Sequence, residues 1–320
     1  MDCSPLRNAD FTPYFGVGLS ATAWTIGSAC LSGILLEVSA HPKPGLVTPR
    51  SMGAHRDMDQ LTFMLTSAAI APCFHRCASI GLTVRGDAAA VLPQVRAVGR
   101  DYDALLLAAS NGINTQRGAL FALGVTAAAA GRAHQDDVAP SSTQIFAEVA
   151  AITQGLVQRE LIERRDNPST AGELLHARYA TRGIRGEVED GFPTVATHGL
   201  PVLRAAIDAG HGLNRVLVHT LISLIAEAED TTVLWRGGPD ALAFVRDSAR
   251  RIRDLGGALT DAGIARLHDF GAACVARRIS AGGAADLLAV TVAVHLIEQG
   301  SFPVSATSGF ETLHFTGDHP

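Results

Sequence analysis

The chain has 320 residues, 47% of them apolar and 18% charged, and a formal charge of −5. That balance supports a large buried core and argues against disorder, while the acidic charge argues against the basic face of a nucleic-acid binder. Five cysteines (Cys3, Cys30, Cys73, Cys77 and Cys274) form no CxxC pair and read as reduced thiols of a cytoplasmic protein.

In chain order, the first strong element is an apolar helix over 21–38. Asp2, Arg7 and Asp10 precede it, so the basic start of a signal peptide is missing. The stretch is also short for a membrane span and ends at Glu37, which makes it a buried helix. A rigid turn follows, His41-Pro42-Lys43-Pro44-Gly45. Lys43 is the single lysine beside twenty-five arginines. Codon bias turns replaceable lysines into arginines, so the survivor is either a chance one in a surface loop or marks a place that needs a compact ammonium, and its position in a rigid turn after a buried helix favours the second.

The next junction runs Gly53-Ala54-His55-Arg56-Asp57-Met58-Asp59, with Asp59 as N-cap of a helix over 61–82. Asp57 has no capping explanation and is a candidate for chemistry. Within that helix Cys73 and Cys77 share a face and His75 points away from it, the pattern of core packing and not of a metal site. Further helices are expected over 115–130, 143–163, 195–209, 213–228, 241–255, 264–276 and 284–298, joined by loops that carry Gly, Pro and Asp. Alternating strand patterns are scarce, so the expected fold is all-α. One domain spans 1–320, with the residues after about 300 as an irregular extension.

Polar and glycine residues concentrate where these helices meet. Gly112, Asn114, Thr115 and Arg117 open the helix at 115, and a helix start with glycine and an arginine fork suits a phosphate. A simple cap at Asn114 or Thr115 would look the same. Similar junctions hold Arg182 and Arg185 before Glu187, then Arg236, Gly237 and Gly238 before Pro239, and Ser280, Gly282 and Gly283 before Asp286. Acids stand beside them: Glu37, Asp57, Glu187, Asp230 and Asp286. A carboxylate beside an apolar helix is costly unless it is paired or binds a cation, so salt bridges and Mg²⁺ held with a polyphosphate are both open. No Walker A loop and no strand-borne GxGxxG is present.

Taken together, Glu37-Val38-Ser39-Ala40 with Pro42-Lys43-Pro44-Gly45-Leu46-Val47, Gly53-Ala54-His55 with Asp57-Met58, and Gly112-x-Asn114-Thr115-x-Arg117-Gly118 resemble the triphosphoribosyl-dephospho-CoA synthases. So do Arg185-Gly186-Glu187 with Gly191-Phe192-Pro193, Arg236-Gly237-Gly238, and Gly282-Gly283-x-x-Asp286-Leu287-Leu288. The resemblance implies an all-helical transferase that moves the 5-triphosphoribosyl group of ATP to the 2′-hydroxyl of 3′-dephospho-CoA and releases adenine. A separate transferase would then load the product on an acyl carrier protein of malonate decarboxylase or citrate lyase, and the 53–59 motif looks more like the malonate branch.

On that resemblance the catalytic candidates are Glu37, Lys43, Asp57 and Glu187, with Glu37 or Glu187 as general base. Asp57, Asp230 and Asp286 are the Mg²⁺ candidates. Gly112, Asn114, Thr115, Arg117, Arg185, Arg236, Gly237, Gly238, Ser280, Gly282 and Gly283 are the nucleotide-binding set. The partners are small molecules, with no nucleic acid and no membrane; the sequence is compatible with a homodimer. Glu229-Asp230-Thr231-Thr232 departs from the family's Asp-Asp-Thr-Asn, and Ala284 replaces a serine. A helical Mg²⁺-dependent nucleotide or ADP-ribose hydrolase, and a non-catalytic ATP-binding regulator, are the rival readings.

Overall fold

A computed structural model describes residues 20–134, 138–164, 166 and 168–307. The calls at Cys3 and on the end of the C-terminal extension lie outside them. Among the described residues there is no strand, only an isolated bridge between Thr48 and Ser51.

The long helices begin where small polar side chains can cap them. Ser20 Oγ accepts the Ala23 N–H at 3.1 Å to start α1 (Ala21–Ser39). Asp59 and Thr62 form a capping box at the head of α2 (Gln60–Thr83), so the N-cap reading of Asp59 holds. The next two helices are α3 (Val91–Ala109) and α4 (Arg117–Ala133). Residues Ala127 to Ala130 of α4 are wholly buried, and their small side chains let neighbouring helices come close. The chain continues through α5 (Ser142–Thr153), α6 (Ala171–Tyr179), α7 (Gly183–Glu189), α8 (Leu200–Asp208) and α9 (Leu213–Glu227). It ends with α10 (Thr231–Asp254), α11 (Asp261–Arg277), α12 (Gly282–Gln299) and the short α13 (Val304–Thr307).

The core is built around α1, α2, α4 and α12, which pack on one another, with α9 and α10 against the other side of α12. By length and composition α1 could cross a membrane, yet Ile26, Cys30, Ile34 and Val38 are buried inside the bundle. Cys73 and Cys77 lie 4.0 Å apart in the interior, while His75 turns aside to the Ala71 carbonyl, as helix geometry requires.

Several elements differ from expectation. The 143–163 helix ends at Thr153; Gly155 has φ +73, and a π-turn, Gln158–Ile162, follows. The expected 195–209 helix starts as another π-turn, Val195–Gly199, and becomes α-helical at Leu200. Helix α3 was not expected at all, although its buried Val91, Leu92, Val95, Val98, Tyr102 and Leu106 keep a helical spacing. Residues 183–189, which read as a junction in sequence, are α7. The 241–255 helix starts earlier, at Thr231, and breaks at Gly238, where φ is +71. Pro239 then opens the second half, a position that suits its missing N–H.

Candidate active site

The helix ends surround a cavity of about 860 Å³. Its carboxylate wall starts in the last turn of α1, at Glu37. The following loop passes through a cis His41–Pro42 bond and is clamped to α9 by Asn214, which accepts from the His41 N–H at 2.9 Å and donates to the His41 carbonyl at 2.7 Å. Gly45 sits at φ +69, and a Cβ there would stand 2.1 Å from the Ile279 carbonyl oxygen, so the turn requires glycine.

This turn folds Lys43 back over the end of α1. Its ammonium donates to the Glu37 carbonyl oxygen at 2.7 Å and to Glu37 Oε1. The two side chains are 1% and 8% exposed, so the pair is shielded and the small remaining opening belongs to Glu37. Burial lowers the Lys43 pKa, and the Glu37 charge works against that. Two of its three N–H donors are engaged by Glu37, and Lys43 itself lines the cavity. A compact ammonium reaches two oxygens of one residue in this space, which a broad guanidinium plane would overfill.

Asp286 stands on the first turns of α12. A Cβ on Gly118 would lie 2.0 Å from Asp286 Oδ2, so the first turn of α4 closes directly over the carboxylate. The backbone N–H of Ala119 bonds to it. Burial, then the charges of Asp230 and Glu37, push its pKa well above the usual carboxylate range. Among the described residues no basic side chain pairs with it.

Asp230, the third metal candidate, behaves differently. Oδ1 accepts the N–H groups of Thr232 (2.9 Å) and Val233 (3.1 Å), and Oδ2 accepts the Ala284 N–H at 2.9 Å. One buried carboxylate thus caps α10 and α12 together, and it is not on the cavity wall. Burial raises its pKa, with the backbone donors opposing. Asp57, 58% exposed, is on the wall, 3.8 Å from His55. Among the described residues no three His, Cys, Asp or Glu side chains gather into a metal site.

His55 links this wall to α10. Its Nδ1 faces Arg236 Nη2 at 3.1 Å, and its Nε2 faces Ser280 Oγ at 2.9 Å. A guanidinium only donates, so Nδ1 is the acceptor and Nε2 carries the proton toward Ser280. Burial and the Arg236 charge push the His55 pKa down to about 4, which keeps the ring neutral. Gly282 and Gly283 line the cavity beside Ser280. Gly237 and Gly238 do not: they lie at the α10 kink.

The arginine wall comes from α3, α4 and α7, with an acid from the π-turn. Glu160 receives both Arg96, at 2.7 and 2.8 Å, and Arg185, at 2.9 Å. Arg96 also lies 4.3 Å over the Phe121 ring. Arg117 forks onto Asp103 at 2.6 and 2.7 Å. Glu229 accepts the N–H groups of Arg182 (2.8 Å) and Gly183 (3.2 Å), so the acid that departs from the family pattern caps α7. Glu187 accepts from the Thr194 hydroxyl at 2.5 Å, and burial raises its pKa. Gly112, Asn114 and Thr115 are on the wall as expected, but the cap position of α4 is Gln116, whose side chain bonds to Thr66 and Ser67 and leaves the helix start uncapped. Arg96, Arg100 and Asp103 were missed with their helix; its apolar spacing signals the helix but not the role of these side chains.

An all-helical chain whose helix junctions enclose carboxylates and anchored arginines has the make-up of a transferase for phosphorylated substrates. Comparison with known proteins narrows the class. The family model described as ATP:dephospho-CoA triphosphoribosyl transferase matches residues 23–302. A probable 2-(5''-triphosphoribosyl)-3'-dephosphocoenzyme-A synthase of Malonomonas rubra is 39% identical over 284 residues, 88% of this chain and 90% of the relative. The synthase of Klebsiella pneumoniae is 38% identical over 275 residues, 84% and 90% of the two chains. No solved structure matches. The chain belongs to the triphosphoribosyl-dephospho-CoA synthase family.

Proposed function

We propose that this protein transfers the 5-triphosphoribosyl group of ATP to the 2′-hydroxyl of 3′-dephospho-CoA. The C1′–N9 bond of ATP breaks, a C1′–O2′ bond forms, and the acceptor proton leaves with adenine. The observation that carries the reading is the Lys43-held Glu37 carboxylate on the wall of the same cavity as the arginines of α3, α4 and α7.

Each wall has a share in the chemistry. Substitution at C1′ passes through an oxocarbenium-like state, which nearby carboxylates stabilise. Glu37 Oε1 is fixed by Lys43 while Oε2 makes no hydrogen bond to a described residue, so Oε2 is the atom that takes the 2′-hydroxyl proton. Glu187, bonded to Thr194, positions the ribose of the donor. Arg96, Arg117 and Arg185 bind the triphosphate and hold it still, so that positioning, not attack at phosphorus, is what they supply.

Asp286 fits a divalent cation, because its carboxylate is crowded by Asp230 and Glu37 and has no basic partner. With Asp57 it would hold Mg²⁺ together with ATP, in the usual manner of one or two carboxylates plus phosphate oxygens. Bound Mg²⁺ supplies charge neutralisation of the triphosphate. The 53–59 motif favours delivery of the product, through a separate transferase, to the carrier protein of malonate decarboxylase.

The test uses γ-labelled ATP, Mg²⁺ and dephospho-CoA. Label should enter the larger CoA product as free adenine appears in equal amount. Labelled inorganic phosphate without adenine would defeat the reading, and adenine release that ignores dephospho-CoA would mark a nucleosidase.

A further inference from the structure

A second hollow, of about 610 Å³, lies between α6 and α10. Leu174, Leu175, Tyr179, Leu234 and Trp235 line it, with Arg178 stacked 5.0 Å over the Tyr179 ring. Two of its large apolar side chains face solvent: Trp235 is 58% exposed and Leu174 44% exposed. Neighbouring exposed apolar groups of this size commonly mark a binding surface. The kink at Gly238 isolates a short first segment of α10, which carries Trp235 into the hollow and Arg236 to His55 on successive positions. Leu175 and Trp235 stand on the wall of both the hollow and the central cavity, so the two are continuous.

We infer that this hollow seats the pantetheine arm of the dephospho-CoA acceptor. The inference rests on the acceptor proposed above. Dephospho-CoA is an adenosine diphosphate carrying a long, uncharged arm with two amides, a gem-dimethyl group and a terminal thiol. The nucleotide part needs the charged cavity, and the arm needs what the hollow offers: apolar walls with a few donors, namely the Tyr179 hydroxyl, the Trp235 indole N–H and Arg178. The thiol end is unchanged by the reaction, so its site can stay open to solvent. The adenine of ATP is cut at C1′ and must lie beside the carboxylates of the cavity, which leaves the hollow to the acceptor.

The chain has two tryptophans, so a Trp24→Phe protein reports on Trp235 alone. Dephospho-CoA should shift and quench its fluorescence, and ADP, which lacks the arm, should not. In steady-state assays Leu174→Asp and Trp235→Ala should raise KM for dephospho-CoA about tenfold, with kcat within about twofold and KM for ATP unchanged. ADP offered as a truncated acceptor should be indifferent to both substitutions. Equal effects with ADP, a rise in KM for ATP, or identical fluorescence responses to dephospho-CoA and ADP would each overturn the inference. If wild-type protein binds dephospho-CoA with the expected fluorescence change but releases no adenine, the proposed reaction fails and the seat of the arm stands.

Discussion

The two walls of the cavity hold their charges by opposite means. On the carboxylate wall, Glu37 has one ammonium and Asp286 has no basic partner among the described residues, so carboxylates are crowded where burial makes charge expensive. On the arginine wall three of the cations are tied to acids from other elements: Arg117 to Asp103, Arg96 and Arg185 to Glu160. The first wall is tense and poised to accept positive charge, from a metal or from an oxocarbenium-like centre. The second is already neutralised and works by geometry. Changes on the first wall should therefore strike turnover, and changes on the second should strike binding.

The largest effect is expected at the buried pair. Glu37→Gln should lower kcat by about 10²–10⁴-fold while the protein stays folded, because the amide is isosteric but cannot take a proton. Lys43→Met should instead unfold more easily, by about 3–5 kcal/mol, since it strands the Glu37 carboxylate in the interior. Lys43→Arg should not restore wild-type turnover. Denaturant melts beside single-turnover rates separate these outcomes, and a Glu37→Gln enzyme with near-normal kcat would move the base to Glu187.

Next in size is Gly118→Ala. The added methyl would fall 2.0 Å from Asp286 Oδ2, so the carboxylate or α4 must shift. A displacement of that order costs about 10²-fold in kcat. Gly112→Ala, where a Cβ would meet nothing within 4 Å but φ is +85, should strain its own turn and spare kcat. Equal losses in the two variants would mean that Gly118 serves the backbone alone.

A smaller contrast separates two aspartates that sequence alone treats as equivalent. Asp230→Ala removes the shared cap of α10 and α12 and should lower stability by about 1–3 kcal/mol while ATP affinity keeps its Mg²⁺ dependence. Asp286→Asn should do the reverse. Its folded pKa is raised above the unfolded value of about 3.9, so the folded state holds a proton that the unfolded state releases. Stability is then greatest below that value and declines as pH rises toward the folded pKa. Asn removes the decline, so at neutral pH the variant should melt higher than wild type and gain nothing from Mg²⁺ with ATP. Melting curves between pH 4 and 8, with and without Mg²⁺–ATP, test both halves.

What sequence made legible follows the same division. The helices with strong apolar periodicity, and the junction acids beside them, could be read directly, since a charge next to a buried stripe stands out. Glu37, Asp57 and Asp286 fell on the cavity wall for that reason. Asp230 did not, because a carboxylate that caps two helices looks in sequence like any other junction acid; its three backbone donors come from segments more than fifty residues apart. The arginine wall was harder. Helix α7 contains two glycines and reads as a loop, and α3 is amphipathic with a charged outer face, so its Arg96, Arg100 and Asp103 carry no local signal of a site. Its acid partners, Glu160 and Glu173, sit in short elements fixed by tertiary contacts.

The smallest expected effect is at His55, and it tests where the two walls are joined. A histidine in an active site invites a role in proton transfer, with a pH profile that bends near its ordinary pKa of about 6.5. Here burial and Arg236 push the value down to about 4, so the ring gains its proton only in acid and stays neutral from pH 5 to 8. Its work is to accept from Arg236 through Nδ1 and to donate to Ser280 through Nε2, holding α10 against the head of α12. Gln has one acceptor and one donor end and can make both bonds. His55→Gln should therefore keep kcat within about threefold, in line with a surviving pair of hydrogen bonds, and leave the kcat–pH profile unmoved between pH 5 and 8. His55→Leu should lose the Arg236 anchor and raise KM for ATP. If the wild-type profile has a limb near pH 6.5 that vanishes in His55→Gln, the ring titrates during turnover, and the boundary between a charged wall and a neutral strut has been drawn in the wrong place.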